Sequence, residues 1–105
     1  MAAAPPASRY AHGRSEYWSR PSTARLIARA QRRLGLRLRG IRQRLLLTQE
    51  EAAERAGLHP VAIARIESGK QNATVATLVC LARAYRVPLA GFFADDPERT
   101  RRTRG

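Results

Sequence analysis

Cysteine and histidine are nearly absent from this sequence, which carries Cys80 and only His12 and His59. A single cysteine cannot form an internal disulfide, and this usage fits a reducing, cytosolic setting. The three side chains share no metal-ligand spacing, which argues against a zinc site. No other grouping predicts a cofactor site or a catalytic centre, so we expect a protein that is not an enzyme. No apolar run approaches the roughly 18 residues that a membrane span needs, so no membrane partner is expected.

Acidic residues are scarce as well. Eight of them stand against 20 lysines and arginines, which gives a formal net charge of +12, and every cation except Lys70 is an arginine. Such a balance favours an anionic partner, most simply nucleic acid, while an acidic protein or anionic lipid stays open. A length of 105 residues supports one small domain with tails and a modest core.

Between residues 48 and 70 the pattern predicts two short helices joined by a tight turn. Thr48 and Glu51 can form a capping box at the start of the first helix. Gly57 suits the left-handed position where that helix ends, and Pro60 suits the first position of the next one. Two isoleucines then share one face before a glycine ends the second helix. The signals for the helix cap, the turn, the start of the second helix and its end agree with one another, as is typical of a helix-turn-helix motif.

The N-terminal third is basic and poor in acids. We predict a disordered Ala-, Pro- and Arg-rich tail over residues 1–21 and a basic amphipathic helix over residues 22–34, with Ser22 as its N-cap. The first 33 residues hold seven arginines and one glutamate. Three interpretations stay open: an arm that tracks a DNA groove, an idle solvated extension and an organellar transit peptide. Trp18 either belongs to a tail that adheres non-specifically or docks on the domain or on a partner.

Gly35 and Gly40 interrupt the apolar pattern that follows. Because glycine lowers helix propensity, we expect a break or bend near Gly35. A helix should follow this break, with Leu38, Ile41 and Leu45 facing inward.

Beyond the motif, the pattern predicts one more helix. Thr74 can cap its start, and the residue before Pro88 ends it. Cys80 is expected to be buried as a small apolar residue. The apolar stripe, to which Val75 is added, consists of Leu78, Leu81, Ala82 and Tyr85.

The end of the chain is first apolar and then charged. Residues 88–93 predict a short last helix. Phe92 and Phe93 are adjacent and cannot both face one core, so we expect one in the core and the other in a dimer contact. Residues 94–105 carry little apolar content and predict a flexible tail. No stretch shows a strand pattern.

Residues 34–93 resemble the Cro/C1-type (XRE-family) helix-turn-helix domain of prokaryotic and phage repressors. The residues that carry the resemblance are Leu34-Gly35, Leu38-Arg39, Ile41-Arg42, Thr48-Gln49-Glu50-Glu51, Ala53-Glu54-Arg55-Ala56-Gly57-Leu58, Ile63, Ile66-Glu67, Gly69-Lys70, Asn72, Leu78, Leu81-Ala82 and Tyr85. The resemblance implies an all-α fold, a compact five-helix lambda-repressor-like bundle over residues 35–93, with the basic N-terminal segment outside it. It also implies that the third helix enters the DNA major groove.

The resemblance places base-reading side chains on a recognition helix over residues 60–68. Pro60, Val61 and Ala62 cannot donate a side-chain hydrogen bond, although they can contact thymine methyl groups. Arg65 is therefore the obvious base reader, with guanine as its usual partner. His59 stands at the cap position where the family commonly has a small hydroxyl residue.

The resemblance also implies contacts to the DNA backbone. Gln49 begins the helix before the recognition helix, where free N–H groups and the helix dipole favour a phosphate. Lys70 lies just past the recognition helix and is expected to meet the backbone, as are Thr48, Asn72 and Arg42. Arg42 is also expected to pair with Glu67 and so to link the first helix to the end of the third. No metal and no cofactor are implied.

We therefore expect a sequence-specific DNA-binding transcriptional regulator, in the role of a repressor, in the cytoplasm of a prokaryote and on the nucleoid when bound to DNA. A homodimer on paired half-sites is the family expectation. Three alternatives stay open. One is an antitoxin that binds both DNA and a toxin, and another is a protein-interaction adaptor built on the same domain. The weakest is membrane association through residues 22–34.

Overall fold

The computed structural model describes residues 20–94, and within that range it contains helices and no strand. In chain order the elements are α1 (Pro21–Arg44), α2 (Gln49–Ala56), α3 (Pro60–Glu67), α4 (Val75–Tyr85) and a 3₁₀ helix (Leu89–Phe92). The predicted all-α bundle is confirmed, with the last helix formed as a 3₁₀ turn. None of the helices in this part of the chain combines the length and apolar character that crossing a bilayer needs. The predictions for Trp18 and for the tails fall on residues outside this range, apart from their innermost residues.

Helix α1 starts one residue earlier than predicted. Pro21 occupies the first turn and Arg20 is the N-cap, with no capping hydrogen bond from its side chain. Ser22 is therefore not the N-cap, and Pro21 belongs to the helix. Proline suits this place because its missing N–H has no partner in the first turn.

The predicted break at Gly35 is wrong, because α1 runs through it without interruption. A Cβ atom at Gly35 would lie 2.5 Å from the carbonyl oxygen of Glu67 and 2.6 Å from that of Ile66. The backbone of α1 thus packs directly on the end of α3, which only a residue without a side chain permits. Tertiary contact outweighs the roughly 1 kcal/mol by which glycine is a poorer helix former than alanine.

Leu38 and Ile41 face the core as predicted, but Leu45 does not. Leu45 is the C-cap of α1 and is 42% exposed, whereas Leu47 is buried at 6%. The intervening Leu46 adopts a left-handed conformation with φ of 59°. This turn rotates the chain so that Leu47, three residues after the end of the helix, supplies the core contact.

The core forms where α1, α2, α3 and α4 meet. Its members are Leu38, Ile41, Leu47, Ala52, Ala53, Ile63, Ile66, Leu78, Leu81, Ala82, Tyr85 and Phe92. The predicted stripe of α4 is confirmed, and so is the placement of one phenylalanine in the core, since Phe92 is buried and Phe93 is 61% exposed. Cys80 and Val75 are both exposed, so their predicted burial is wrong.

Helical geometry explains the two errors on α4. Cys80 follows Leu78 by two residues, which turns its side chain to the opposite face of the helix. Val75 fits the stripe by spacing, but it is the first residue of α4 and lies beyond the reach of the core. Tyr85 lies inside, where its hydroxyl has no hydrogen-bond partner among the described residues. Burial, with a smaller effect from the charge of Glu67, raises the pKa of Tyr85 to about 12.

Local capping sets the ends of α2 and the start of α3. The Thr48 hydroxyl accepts from the Glu51 N–H at 3.0 Å, and the Glu51 carboxylate accepts from the Thr48 N–H at 2.9 Å, which confirms the capping box. The hydrogen bond from the Thr48 backbone N–H to the carboxylate, with a smaller effect from the Thr48 side chain, lowers the pKa of Glu51. Gly57 is left-handed with φ of 70°. At the start of α3, the His59 ring nitrogen Nδ1 accepts from the Val61 N–H at 3.1 Å, so histidine caps where a hydroxyl residue is usual.

A buried ion pair joins α1 to the end of α3. Arg42 Nε donates to Glu67 Oε2 at 2.6 Å, and Arg42 Nη2 donates to Glu67 Oε1 at 2.9 Å. The third guanidinium nitrogen, Nη1, donates to the Leu47 carbonyl at 2.8 Å. The hydrogen bond to Glu67 is the main reason why the pKa of Arg42 is raised. A two-point pair of this kind fixes direction as well as distance, so it sets how α3 lies on α1.

Gly35→Ala should destabilise the fold even though alanine is the better helix former. The new Cβ would overlap two carbonyl oxygens of α3, and overpacking of this kind typically costs about 1–3 kcal/mol. Gly40→Ala is the matched control, because a Cβ there meets nothing within 4 Å. It should raise the free energy of unfolding by about 0.5–1 kcal/mol. Urea denaturation measures both, and stabilisation by both alanines would contradict the close contact at Gly35.

Arg42→Met and Glu67→Leu should each lower the free energy of unfolding by about 3–5 kcal/mol, because each strands the partner's charge inside the domain. The double variant should cost clearly less than the two single costs added together, since it leaves no unpaired charge. Thermal and urea denaturation of the four proteins gives the coupling free energy. Additive effects would show that the two side chains do not depend on each other.

Candidate nucleic-acid interface

Helix α3 has one buried face and one exposed face. Ile63, Ile66 and Glu67 are buried, with the two isoleucines 2% exposed. Val61 is 56% exposed, and Arg65 is also exposed. Because these two residues are four apart, they lie on the same stripe of the helix. The ion pair and the core therefore hold one side of α3, while Arg65 and Val61 point away from the domain.

The other two predicted base readers lie beside this stripe. Pro60 and Ala62 are half-buried and flank the exposed face at the N-terminal end of α3. Ser68, three residues after Arg65, extends the exposed stripe, and sequence reasoning missed it. The i, i+4, i+7 spacing from Val61 would have indicated it. Its hydroxyl donates to the Arg65 carbonyl at 3.0 Å and so closes the end of the helix.

The predicted phosphate contacts at the start of α2 have side chains that are already engaged. The Thr48 hydroxyl accepts within the capping box. The Gln49 side-chain amide donates to Glu67 Oε1 at 3.2 Å and is half-buried. Any contact that Gln49 makes with an anion would therefore come from its backbone N–H in the first turn, where the helix dipole favours negative charge.

Arg42 does not lie on the surface with the other predicted phosphate contacts. It is 9% exposed, and three of its guanidinium hydrogen bonds go to Glu67 and Leu47. These hydrogen bonds and the burial leave little of the guanidinium to solvent, so its role in this structure is to anchor α3. The phosphate contact of Arg42 stays a prediction.

The loop after α3 presents Lys70 and Asn72 and is fixed to α1. The Lys70 N–H donates to the Arg65 carbonyl at 2.9 Å, while its side chain is exposed. Gly69 is left-handed with φ of 75°, and a Cβ there would lie 3.1 Å from Cγ of Arg32. The side-chain oxygen of Asn72 accepts a hydrogen bond from the side-chain amide of Gln31. The loop is thus placed by α1, with a lysine directed to solvent.

The structure places the exposed face of α3 next to the loop that follows it. The exposed stripe of α3 and the loop at residues 69–72 follow one another along the chain, and the buried ion pair lies behind α3. The exposed face of α3 therefore carries Arg65, and the cation Lys70 lies in the loop beside it. An α-helix with its side chains is about 10–12 Å across, which matches the roughly 12 Å width of the DNA major groove.

Comparison with known proteins identifies the family. The helix-turn-helix family model (HTH_3) matches residues 38–92. The chain is 42% identical over 65 residues to the HTH-type transcriptional regulator PuuR of Escherichia coli (strain K12), a match that covers 62% of this chain and 35% of that protein. It is 34% identical over 74 residues to an uncharacterized transcriptional regulator in the ATPase CF(0) region of Rhodospirillum rubrum, covering 70% of this chain and 68% of that one.

Two solved structures share the fold. The restriction-modification controller protein C.AhdI from Aeromonas hydrophila superposes with a TM-score of 0.59 at 28% identity, covering 60% of this chain and 96% of that chain. An HTH_3 family transcriptional regulator from Vibrio cholerae gives a TM-score of 0.64 at 25% identity, covering 70% of this chain and 41% of that chain. The matched stretch spans only about a third of PuuR, at 35% of its length. The family match nevertheless covers more than half of the sequence, and the chain belongs to the Cro/C1-type (HTH_3) helix-turn-helix family of DNA-binding transcriptional regulators.

Proposed function

We propose that this protein is a sequence-specific regulator of transcription that places α3 in the major groove of double-stranded DNA. The observation that carries the proposal is the division of α3 into two faces. Its inner face is fixed by the core and by the Arg42–Glu67 pair, while Arg65 and Val61 stand exposed on the outer face. A helix held from behind in this way can enter a groove without having to reorganise.

Arg65 is the side chain we propose as the principal base reader. A guanidinium can donate two hydrogen bonds to O6 and N7 of one guanine, which is the commonest specific contact in the major groove. Val61, with Ala62 and Pro60 beside it, offers apolar surface for thymine methyl groups. The expected site therefore combines a guanine with thymines near it in each half.

The contacts we propose to phosphates surround this reader. Lys70 supplies a charged side chain, and Asn72 keeps its amide NH₂ group to donate because its oxygen is taken by Gln31. On the other side of α3, the backbone N–H of Gln49 lies in the first turn of α2, where a helix start favours an anion. The Thr48 N–H already donates to the Glu51 carboxylate. Contacts of this class position the protein on DNA and carry no direct sequence information.

We propose that the protein acts as a homodimer and represses its target. Two copies of α3 would read two half-sites related by a two-fold axis. Phe93, at 61% exposure, and Leu36, at 66%, border an open groove of about 630 Å³ that a second copy could cover. We propose that it represses by occupying promoter DNA, on the nucleoid in the cytoplasm of a prokaryotic cell.

Selection of bound duplexes from random DNA tests the proposal. Two inverted half-sites should be enriched, with centres about 10–10.5 base pairs apart or at a multiple of that spacing. An antitoxin would enrich a site and also co-purify with a toxin from the native host. An adaptor would bind a protein tightly and enrich no DNA sequence, which would contradict the proposal.

Arg65→Ala should lower affinity for the selected site by about 1–3 kcal/mol and relax the preference at one base pair in each half-site. Lys70→Ala is the matched comparison, because it removes one charge from the neighbouring loop. It should weaken binding almost equally on all sequences and lower the salt slope by about 1. Fluorescence anisotropy on the selected site and on single-substitution sites measures both. An equal loss on every sequence for Arg65→Ala would rule out base reading by that residue.

A further inference from the structure

The first part of α1 extends beyond the region that the family match covers. Residues 21–34, which we name the α1 extension, precede Gly35, the point where α1 meets the end of α3. The family match begins only at residue 38. At about 1.5 Å per residue, the 14 residues of the extension reach roughly 20 Å from that contact. The exposed side chains of the α1 extension have no role in the core.

The α1 extension carries positive charge and no acidic residue. The whole of α1 contains eight arginines and neither aspartate nor glutamate. Arg25, Arg29 and Arg32 are exposed, and they stand three or four residues apart, where like charges on a helix repel each other. The helix alone would be more stable without this pattern, so the charges indicate an anionic partner.

The position of the α1 extension points to the same partner as α3. Cγ of Arg32 lies against Gly69, and the neighbouring Gln31 donates to the side chain of Asn72. Both contacts are to the loop that presents Lys70, the cation we propose on a phosphate. The basic surface of the extension therefore begins at this loop and continues away from it along the helix.

We infer that the α1 extension is a second DNA-binding surface, which contacts phosphates of the duplex flanking each half-site through Arg25, Arg29 and Arg32. This inference rests on the proposed function, because the loop places the extension next to DNA only if α3 is bound. Over the seven residue-to-residue steps from Arg25 to Arg32 the helix rises about 10 Å, and a duplex carries one negative charge per roughly 1.7 Å of its axis. The arginines can thus meet several phosphates at once without reading sequence.

The test compares two triple variants that remove the same charge. The first is Arg25→Gln, Arg29→Gln and Arg32→Gln; glutamine is a good helix former and keeps the Cγ that packs on Gly69. The control is Arg44→Gln, Arg55→Gln and Arg83→Gln, three exposed arginines outside the extension. Each full-length protein is titrated against two duplexes, the selected site trimmed to its half-sites and the same site with two further helical turns on each side.

On the long duplex, the extension variant should lower the slope of log affinity against log salt by about 2–3, since each lost phosphate contact contributes about 0.9. The control should keep most of the wild-type slope. On the trimmed duplex, the wild type and the extension variant should bind alike. The ranking of single-substitution sites should be the same in all three proteins, because phosphate contacts carry no base preference.

Equal salt slopes for the extension variant and the control on the long duplex would overturn the inference. Binding of an acidic protein to the extension would not restore it. The proposed function would still stand if Arg65→Ala continued to relax the base preference. If selection enriched no site, the proposed function would fail independently of this inference. The salt slopes of the wild type, the extension variant and the control on a long duplex of mixed sequence would then decide whether the extension binds DNA.

Discussion

The bidentate pair between Arg42 and Glu67 is the interaction on which the geometry of the motif depends. It lies inside the domain, and it joins the last turn of α1 to the last residue of α3 at 2.6 and 2.9 Å. Beside it, Gly35 lets the two backbones approach until a single Cβ would collide with the carbonyl oxygens of α3. A buried pair adds little net stability by itself, so its use here is to fix orientation. The recognition helix is consequently held at its C-terminal end, and its capped N-terminal end is held by the turn at Gly57.

This support separates the residues that position α3 from those that can meet a ligand. Arg42, Glu67 and Gln49 form a hydrogen-bonded group behind the helix, while Arg65 and Lys70 remain directed to solvent. Charge follows the same division, since Arg25, Arg29 and Arg32 of the α1 extension lead to the loop that carries Lys70. A regulator built in this way can bind DNA through a preorganised surface, which limits the entropy lost on association.

Much of the fold could be predicted from the sequence because the deciding interactions are local. The capping box at Thr48, the left-handed glycine at residue 57 and the stripe of α4 each depend on residues within one or two turns. Gly35 could not be placed in this way, since its low helix propensity is a local property and its close packing on α3 is not. The inward turn of Leu47 in place of Leu45 likewise depends on a left-handed Leu46, which no propensity indicates. For the site, the stripe of Val61 and Arg65 follows from spacing, whereas the burial of Arg42 required the structure.

Methylation interference measures the central claim most directly, because a methyl group on guanine N7 blocks the major-groove atom that Arg65 is proposed to contact. On the selected site, methylation at one guanine in each half-site should abolish binding by the wild-type protein and should have little effect on binding by Arg65→Ala. Methylation of all other guanines should affect the two proteins equally. If no guanine distinguishes the two proteins, Arg65 does not read the major groove and the account of α3 as the recognition helix is contradicted.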